Sequence, residues 1–326
     1  MKIGIIGGGA WGTALAQVAS AGGERIILWA LEPDVVASIN ADHVNPAYLP
    51  GVPLSAGISA TGMLEDLNGC DALLVVAPAQ HVRATLSGIA TNPALVLCSK
   101  GIEAGSQMLV SEIAAEVKPD APIAVLSGPT FAAEVAKGLP TAVTLACEDE
   151  ALAKALGARL ARPNFRPYAS TDVIGAEIGG AVKNVLAIAC GVVEGKGLGS
   201  NARAALIARG FAEMTRFGMA RGARAETLAG LSGLGDLVLT CTSTQSRNFS
   251  LGKGLGEGRR AAELMADRRT VAEGAFTAPV LREAARAIGV DMPVVDAVCA
   301  LLEGEADADA VIGALLARPL RAEISG

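Results

Sequence analysis

The sequence of 326 residues predicts an α/β fold, with an N-terminal doubly wound parallel sheet followed by an all-helical domain. Up to about residue 170, short apolar runs alternate with helical stretches, which is typical of a parallel sheet covered on both faces. From about Asp172 onward, strand signals nearly vanish and long helical patterns replace them. We therefore predict a first domain over residues 1–172 and a second over residues 173–326.

The elements follow from the spacing of apolar residues along the chain. Uninterrupted apolar runs predict strands at Lys2–Ile6, Arg25–Trp29, Ala72–Ala77, Ala94–Cys98, Ile123–Leu126 and Ala142–Ala146. Helical spacing in the first domain predicts Trp11–Ala21, Asp34–Asn40 and Met108–Val117. The same spacing in the second domain predicts Asp172–Glu194, Asn201–Met219, Pro279–Ile288 and Pro293–Leu302.

Composition excludes several classes of protein. A chain that is 51% hydrophobic and 18% charged is too apolar to be disordered. Its 27 basic and 33 acidic residues form no basic stripe, so we expect no nucleic-acid partner. No segment beyond the N-terminus reaches the roughly 18 uncharged apolar residues that span a bilayer. Glycines interrupt the apolar run Ile3–Gly23, which disfavours a signal helix. We expect a cytoplasmic protein without membrane insertion.

Cysteine and histidine usage limits the chemistry. The six cysteines are scattered without a CxxC pair, and the chain has only two histidines. Structural zinc sites and disulfide scaffolds need closer spacing, so we predict reduced cysteines and no metal. Proton transfer must then use a lysine, a carboxylate, a tyrosine or one of the two histidines.

A glycine-rich turn directly follows the first predicted strand and opens the first predicted helix. Gly7, Gly9 and Gly12 form a GxGxxG pattern. The first glycine allows the tight turn, the second lets a pyrophosphate approach the backbone, and the third lets helix and strand pack closely. The helix N-terminus binds phosphates through its free N–H groups and its dipole. The motif in this context predicts a Rossmann-type dinucleotide-binding domain.

The end of the second predicted strand bears on the choice of dinucleotide. Glu32 lies 20 residues after Gly12. An acidic side chain there accepts hydrogen bonds from the ribose hydroxyls of NAD, whereas an arginine favours the 2′-phosphate of NADP. An equally good interpretation makes Glu32 a solvated residue at the start of a helix, ahead of Pro33. The motif therefore leaves both NAD and NADP open.

Other polar residues follow predicted strands or lie on a predicted helix. Lys100, Gly128 and Thr130 come just after two strands, and ligands bind at the carboxyl ends of such strands. Lys183 falls at the edge of the apolar arc of the helix predicted at Asp172–Glu194. We expect partial burial there, which suits a lysine that transfers protons, although a lysine at a helix edge is more often simply solvated.

A polar segment farther along the chain suits a small ligand. Asp236, Ser246, Arg247 and Asn248 supply a carboxylate, a hydroxyl, a guanidinium and an amide within a short stretch. Arginine binds phosphate through a bidentate fork, so this set matches a phosphorylated, hydroxylated molecule. An ordinary surface turn is the alternative interpretation.

With these segments in place, the chain resembles the bacterial NAD(P)-dependent sn-glycerol-3-phosphate dehydrogenases over essentially its whole length. The resemblance rests on several blocks that occur in the same order in the family. These blocks are Gly7–Ala14 (GGGAWGTA), Asn45–Gly51 (NPAYLPG), Ser99–Glu103 (SKGIE), Ser127–Ala132 (SGPTFA), Glu177–Asn184 (EIGGAVKN), Asn201–Gly210 (NARAALIARG), Gly230–Asn248 and Val271–Gly274 (VAEG).

The resemblance implies reversible reduction of dihydroxyacetone phosphate to sn-glycerol 3-phosphate, the backbone of glycerophospholipids, by a homodimer that uses NAD or NADP. It implies that Lys183 is the general acid/base. The implied substrate-binding residues are Lys100, Gly128, Thr130, Lys183, Asp236, Ser246, Arg247 and Asn248. With the glycine motif included, the expected cofactor-binding residues are Gly7, Gly9, Ala10, Trp11, Gly12, Leu31, Glu32, Lys100, Ala132, Arg247, Val271 and Glu273.

Two positions depart from the family pattern. Ala10 stands where the family usually has serine, and Leu31 stands where it often has arginine or histidine. The loss of a basic group beside the adenosine ribose favours NAD over NADP. An alternative activity is that of a related 2-oxo or β-hydroxy acid reductase with the same two-domain plan. A dinucleotide sensor without turnover is a third hypothesis, but a sensor needs no proton donor such as Lys183.

Overall fold

The computed structural model of the chain describes residues 1–266 and 272–318. Within these ranges, every strand lies before Asp172 in the chain. They are β1 (Ile3–Ile6), β2 (Ile26–Trp29), β3 (Val44–Asn45), β4 (Leu49–Pro53), β5 (Ile58–Thr61), β6 (Ala72–Val75), β7 (Ala94–Leu97), β8 (Ile123–Ser127), β9 (Thr141–Ala146) and β10 (Phe165–Ser170).

The described helices begin directly after β1. They are α1 (Ala10–Ser20), α2 (Pro33–Asp42), α3 (Val82–Ser87), α4 (Val110–Val117), α5 (Ala132–Ala136), α6 (Glu150–Leu160), α7 (Val173–Gly195), α8 (Gly199–Ala220), α9 (Ala225–Leu228), α10 (Asp236–Cys241), α11 (Arg247–Gly256), α12 (Ala261–Leu264), α13 (Glu273–Ala287), α14 (Pro293–Glu303) and α15 (Ala308–Leu316). Short 3-10 helices lie at Leu64–Leu67 and Ala79–His81, and a π-helical turn spans Leu231–Gly235.

Eight strands form one sheet in the order β10-β9-β8-β7-β6-β1-β2-β5, and β3 and β4 form a separate hairpin. Neighbouring strands of the large sheet are parallel, except that β8 and β9 are antiparallel. Chain order reverses between β1 and β6, so the turn after β1 lies at the switch point where open α/β sheets bind ligands.

Both faces of the sheet are buried, which explains the uninterrupted apolar runs. In β6, Leu74 faces one core together with Leu15 of α1, whereas Leu73 and Val75 face the other together with Val82 of α3. Side chains alternate between the two faces of a strand, so a strand covered on both sides needs apolar residues at every position. The predicted doubly wound N-terminal sheet and helical C-terminal part are confirmed.

The chain divides into two compact units by contacts. One comprises Met1–Ala181 and Gly218–Leu239, and the other comprises the described residues of Val182–Phe217 and Thr240–Gly326. The sheet belongs entirely to the first unit, and the second unit is helical wherever it has regular structure.

The sheet differs from the sequence prediction at three strands. All six predicted strands form, but β5 and β10 were not predicted, and β9 runs against its neighbour β8 rather than parallel to it. β5 and β10 are edge strands with partly exposed polar positions, so they lack the apolar run of a central strand. β9 can reverse because the connection at residues 128–140 carries only the short helix α5 and makes no crossover.

Helix α13 also differs from its prediction, because it begins at Glu273 and contains Pro279 in its interior rather than at its start. The ring of proline removes one helical hydrogen bond there. Thr277 Oγ1 donates to the Glu273 carbonyl at 3.0 Å in the turn before the proline.

Helix α7 is the one described helix with the length and hydropathy to cross a bilayer, and 89% of its most apolar window is buried inside the protein. Its residues are buried continuously from Gly175 to Val193. A helix that is apolar all round is expected in the centre of a domain as well as in a membrane. Lys183 and Glu177 interrupt this apolar surface, so each needs a polar partner.

Candidate active site

The turn between β1 and α1 has a backbone that only glycine accommodates at two positions. Gly7 has a φ of +120°, and its N–H donates to the Trp29 carbonyl at 2.9 Å. A Cβ at Gly12 would lie 1.9 Å from the Gly7 carbonyl oxygen. The first glycine therefore makes the turn and the third lets the helix approach it, as the motif predicts.

The N-terminus of α1 has the features of a dinucleotide site. Gly9 is its N-cap without a side-chain cap, and a Cβ there would have no neighbour within 4 Å. Ala10 is the first helical residue, and the first turn has no acidic side chain. The buried Trp11 indole N–H has no hydrogen-bond partner in the described part of the chain. Open space, free N–H groups and an orphaned donor fit an anionic pyrophosphate.

Two residues after the end of β2 are expected beside the adenosine ribose, and they differ in exposure and in hydrogen bonding. Leu31 is 76% exposed and offers no charge. Glu32 is the N-cap residue of α2, but its side chain makes no cap hydrogen bond. Its Oε1 instead accepts a hydrogen bond from the Tyr48 hydroxyl at 2.8 Å. Glu32 thus stands at a helix start, as the second interpretation proposed, but a specific partner holds its carboxylate.

Lys100 and Asp236 form a buried ion pair in the first unit. Lys100 Nζ lies 2.6 Å from Asp236 Oδ2, and the Asp236 side chain is fully buried. The same ammonium donates to the Gly128 carbonyl at 3.4 Å, and Thr130 Oγ1 donates to that oxygen at 3.3 Å. The fold thus brings together four of the predicted substrate-binding residues, from three separate segments of the chain.

Ser127 lies beside this group and was not predicted. It is 4% exposed, and its hydroxyl has no hydrogen-bond partner within the described residues. A Cβ built on Gly180 would lie 3.1 Å from Ser127 Oγ and 3.2 Å from Lys100 Cγ, so the hydroxyl and the lysine stem face the same position of α7. The sequence feature that could have indicated Ser127 as a site residue is its position: it is a polar residue at the end of a buried strand.

Lys183 is more deeply buried than its position on the apolar arc predicts. It is 6% exposed, and its Nζ donates to Thr240 Oγ1 of α10 at 2.9 Å. Thr240 is itself 4% exposed and belongs to the same unit. A buried ammonium needs hydrogen-bond acceptors, so Thr240 fixes the direction of at least one of its three donors.

The segment Ser246–Asn248 begins α11 in the second unit. Ser246 is the N-cap, and its Oγ accepts from the Phe249 N–H at 3.2 Å. Arg247 is exposed at the first position of the helix. Asn248 Oδ1 accepts from the Gly274 N–H at 2.9 Å, which ties α11 to α13. The positive end of α11 thus carries an available guanidinium.

The remaining predicted cofactor residues lie at helix starts or outside the described ranges. Ala132 is the first residue of α5 and Glu273 the first residue of α13. Val271 lies outside the described residues. The predicted site residues are divided between the units. Gly7, Gly9, Ala10, Trp11, Gly12, Leu31, Glu32, Lys100, Gly128, Thr130, Ala132 and Asp236 lie in the first, whereas Lys183, Ser246, Arg247, Asn248 and Glu273 lie in the second.

Two buried carboxylates that the sequence analysis missed occupy helix N-termini. Glu177 Oε1 accepts from the Ser111 N–H of α4 at 2.8 Å, and the Ser111 hydroxyl donates to Oε2. Glu213 Oε1 accepts from the Val294 N–H of α14 at 2.9 Å. Burial raises the pKa of each carboxyl to about 7, although these hydrogen bonds act in the opposite direction.

Comparison with known families decides the assignment. Residues 2–153 match the family model for the N-terminus of NAD-dependent glycerol-3-phosphate dehydrogenase, and residues 172–313 match the model for its C-terminus. The chain belongs to the NAD-dependent glycerol-3-phosphate dehydrogenase family. The resemblance stated from the sequence blocks is thereby confirmed.

Similar proteins carry the same family name and are matched over nearly their whole lengths. Glycerol-3-phosphate dehydrogenase [NAD(P)+] of Erythrobacter litoralis is 66% identical and is matched over 99% of this chain and 98% of its own. Glycerol-3-phosphate dehydrogenase [NAD(P)+] 1 of Sphingopyxis alaskensis is 65% identical and is matched over the same shares of the two chains. The crystal structure of glycerol-3-phosphate dehydrogenase from Coxiella burnetii has a TM-score of 0.93 and 40% identity, covering 97% of this chain and 99% of that one.

The glycerol-3-phosphate dehydrogenase family is one of oxidoreductases that act on a CH–OH group with a nicotinamide dinucleotide, so the predicted enzyme class and cofactor are confirmed. Of the activities considered from the sequence, the family assignment favours the dehydrogenase over the 2-oxo or β-hydroxy acid reductase.

Proposed function

We propose that the chain catalyses the reversible NAD(P)H-dependent reduction of dihydroxyacetone phosphate to sn-glycerol 3-phosphate, with Lys183 as the general acid/base. The observation that carries the proposal is a buried lysine in the mostly apolar helix α7, with its Nζ held 2.9 Å from Thr240 Oγ1. An ionisable group in such a place is costly, so a chemical role explains it better than packing does. When bound, the reduced nicotinamide supplies the hydride for the ketone carbon.

Lys183 would serve both directions of the reaction. As an ammonium it donates a proton to the ketone oxygen as that oxygen gains negative charge, and its own positive charge stabilises the developing oxyanion. As a neutral amine it accepts the hydroxyl proton when the alcohol is oxidised. Thr240 orients the amino group, because the hydrogen bond between them fixes where the other two N–H bonds point.

Arg247 is proposed to bind the substrate phosphate. Its guanidinium is exposed at the N-terminus of α11, a helix of 10 residues. Guanidinium groups bind phosphate oxygens in pairs, and a helix N-terminus adds free N–H groups and a favourable dipole. Ser246 and Asn248 flank it and fix the backbone through their bonds to Phe249 and Gly274. Phosphate binding of this kind holds the reacting carbon in place.

Lys100 is proposed to contact substrate and cofactor, with Gly128 and Thr130 as further substrate contacts. Asp236 at 2.6 Å keeps the Lys100 ammonium in one position and balances its charge. The turn of Gly7, Gly9 and Gly12 would hold the pyrophosphate.

The remaining proposals concern the setting of the reaction. The family likeness supports Ala132, Val271 and Glu273 as cofactor contacts, a homodimer in the cytoplasm, and a product that supplies glycerophospholipid synthesis. The separate family models at residues 2–153 and 172–313 support a cofactor-binding domain over 1–172 and a catalytic domain over 173–326. Light scattering during size-exclusion chromatography tests the dimer.

The decisive experiment follows 340 nm absorbance with dihydroxyacetone phosphate and either NADH or NADPH. Lys183→Met should lower turnover by about 10²–10⁴-fold, while the NADH dissociation constant stays within about twofold of the wild-type value. The exposed lysine of α6 gives the matched control, because Lys154→Met should leave both quantities unchanged. A Lys183→Met enzyme with most of the wild-type rate would show that another group is the acid. A wild-type protein that binds both dinucleotides but turns over neither would overturn the substrate assignment.

A further inference from the structure

The segment Asn45–Leu49 connects the glycine-rich turn with the acidic residue at the end of β2. Asn45 is fully buried, and its Nδ2 lies 2.8 Å from both the Gly8 carbonyl oxygen and Thr13 Oγ1. Its Oδ1 accepts from the Tyr48 N–H at 3.2 Å. The Tyr48 hydroxyl then donates to Glu32 Oε1 at 2.8 Å. One short hairpin loop therefore contacts both parts of the proposed cofactor site.

Tyr48, rather than the helix that Glu32 begins, holds the Glu32 carboxylate. Glu32 is the N-cap of α2, but its side chain makes no cap hydrogen bond. Its Oε1 accepts from the Tyr48 hydroxyl at 2.8 Å instead. Because Asn45 anchors this loop to Gly8, Tyr48 holds the carboxylate at a set position relative to the glycine-rich turn.

A carboxylate fixed there discriminates between the two dinucleotides. It accepts hydrogen bonds from a ribose with a free 2′-hydroxyl, and it repels a 2′-phosphate, which is also negative. The neighbouring Leu31 is 76% exposed and has no cation to offset that repulsion. A free glutamate can rotate away from a phosphate, whereas a glutamate held by a tyrosine hydroxyl cannot do so without losing a hydrogen bond.

We propose that Tyr48 is a positioning residue for cofactor specificity: by holding Glu32, it makes the protein bind the dinucleotide with a free 2′-hydroxyl more tightly than the 2′-phosphorylated one. This proposal rests on the proposed function only through the location of the dinucleotide site. Tyr48 acts through Glu32 and is assigned no contact with the reacting atoms.

The test measures equilibrium dissociation constants of NADH and NADPH by titration calorimetry without substrate. The wild-type protein should favour NADH, and Tyr48→Phe should lower the NADH preference about fivefold or more, the effect of one hydrogen bond to a charged acceptor. Glu32→Gln should lower the preference further. In the Glu32→Gln background, adding Tyr48→Phe should change the preference by less than about twofold, because the two residues act as one unit.

The chain contains a natural control, since its other tyrosine is Tyr168, which is 55% exposed on β10. Tyr168→Phe should leave the preference unchanged. A purely structural role for Tyr48 predicts equal weakening of both dinucleotides with the same ratio, and that result would overturn the proposal. An equal effect of Tyr48→Phe with and without Glu32 would also overturn it. Failure of the wild-type protein to bind either dinucleotide would instead refute the proposed cofactor site itself.

Discussion

Replacing Glu213 by glutamine should make the folding stability of the helical second unit less dependent on pH. The Glu213 side chain is 2% exposed, and its carboxylate accepts from the Val294 and Val295 N–H groups at 2.9 and 3.4 Å. Burial raises its pKa from the ordinary 4.5 to about 7, because desolvation outweighs these hydrogen bonds. Glutamine keeps one acceptor oxygen for α14 and carries no charge at any pH.

The sign follows from the direction of the pKa shift. The folded protein binds this proton more tightly than the unfolded chain does, so the stabilisation is complete below pH 4.5 and is lost as the pH rises through about 7. The difference between 7 and 4.5, at about 1.4 kcal/mol per pH unit, corresponds to roughly 3 kcal/mol for this residue. We expect Glu213→Gln to match the wild type near pH 5 and to be more stable than it by up to that amount at pH 8.

Urea denaturation between pH 5 and pH 8, followed by far-UV circular dichroism, measures this difference. Both tryptophans, Trp11 and Trp29, lie in the first unit, so their fluorescence reports that unit alone. The control is Glu283→Gln, which changes an exposed carboxylate of α13 in the same unit as Glu213. If the wild type and Glu213→Gln lost stability in parallel across this range, the argument from burial would be refuted.

Four further variants test the first unit. Gly12→Ala places a Cβ 1.9 Å from the Gly7 carbonyl oxygen and should destabilise the protein by more than about 3 kcal/mol in thermal denaturation. Gly9→Ala meets open space, so it should cost only the N-cap preference for glycine, about 1 kcal/mol or less, while weakening NADH binding at least about tenfold. Equal stability of the two variants would contradict the packing argument. Asp236→Asn leaves the Lys100 ammonium, 14% exposed, without its counter-charge and should cost about 3 kcal/mol or more. The double variant Lys100→Met/Asp236→Leu should recover part of that loss, and a further loss in the double variant would show that the pair is not the cause.

Local sequence patterns predicted the central strands and the glycine-rich turn, because these elements depend on residues that are neighbours along the chain. The central strands are buried on both faces, so each reads as a continuous apolar run, and the glycines at 7 and 12 meet a backbone requirement within one turn. β5 and β10 escaped prediction because edge strands need no such run, and Pro167 within β10 reads as a strand breaker. The direction of β9 has no local signature at all.

Site residues divide in the same way. Lys183, Lys100 and Asp236 are each indicated by the sequence, but Thr240 is not, and the sequence does not show which residue pairs with which. Thr240 is 57 positions from Lys183, and Asp236 is 136 positions from Lys100, so no spacing rule could pair them. Ser127 and Tyr48 lie within recognisable blocks, yet only the folded structure shows that the Ser127 hydroxyl has no partner among the described residues and that the Tyr48 hydroxyl holds Glu32.

The sequence by itself determined the α/β class, the dinucleotide turn, the helical second half and, through its ordered blocks, the family. Each of these depends on periodicity or on motifs that are contiguous along the chain. Tertiary structure alone decided which charges are paired, how deeply Lys183 is buried, and that Glu177 and Glu213 cap helices far away in sequence. The reason is physical: desolvation and hydrogen bonding depend on distances in space, and distances between remote residues are set only when the chain has packed.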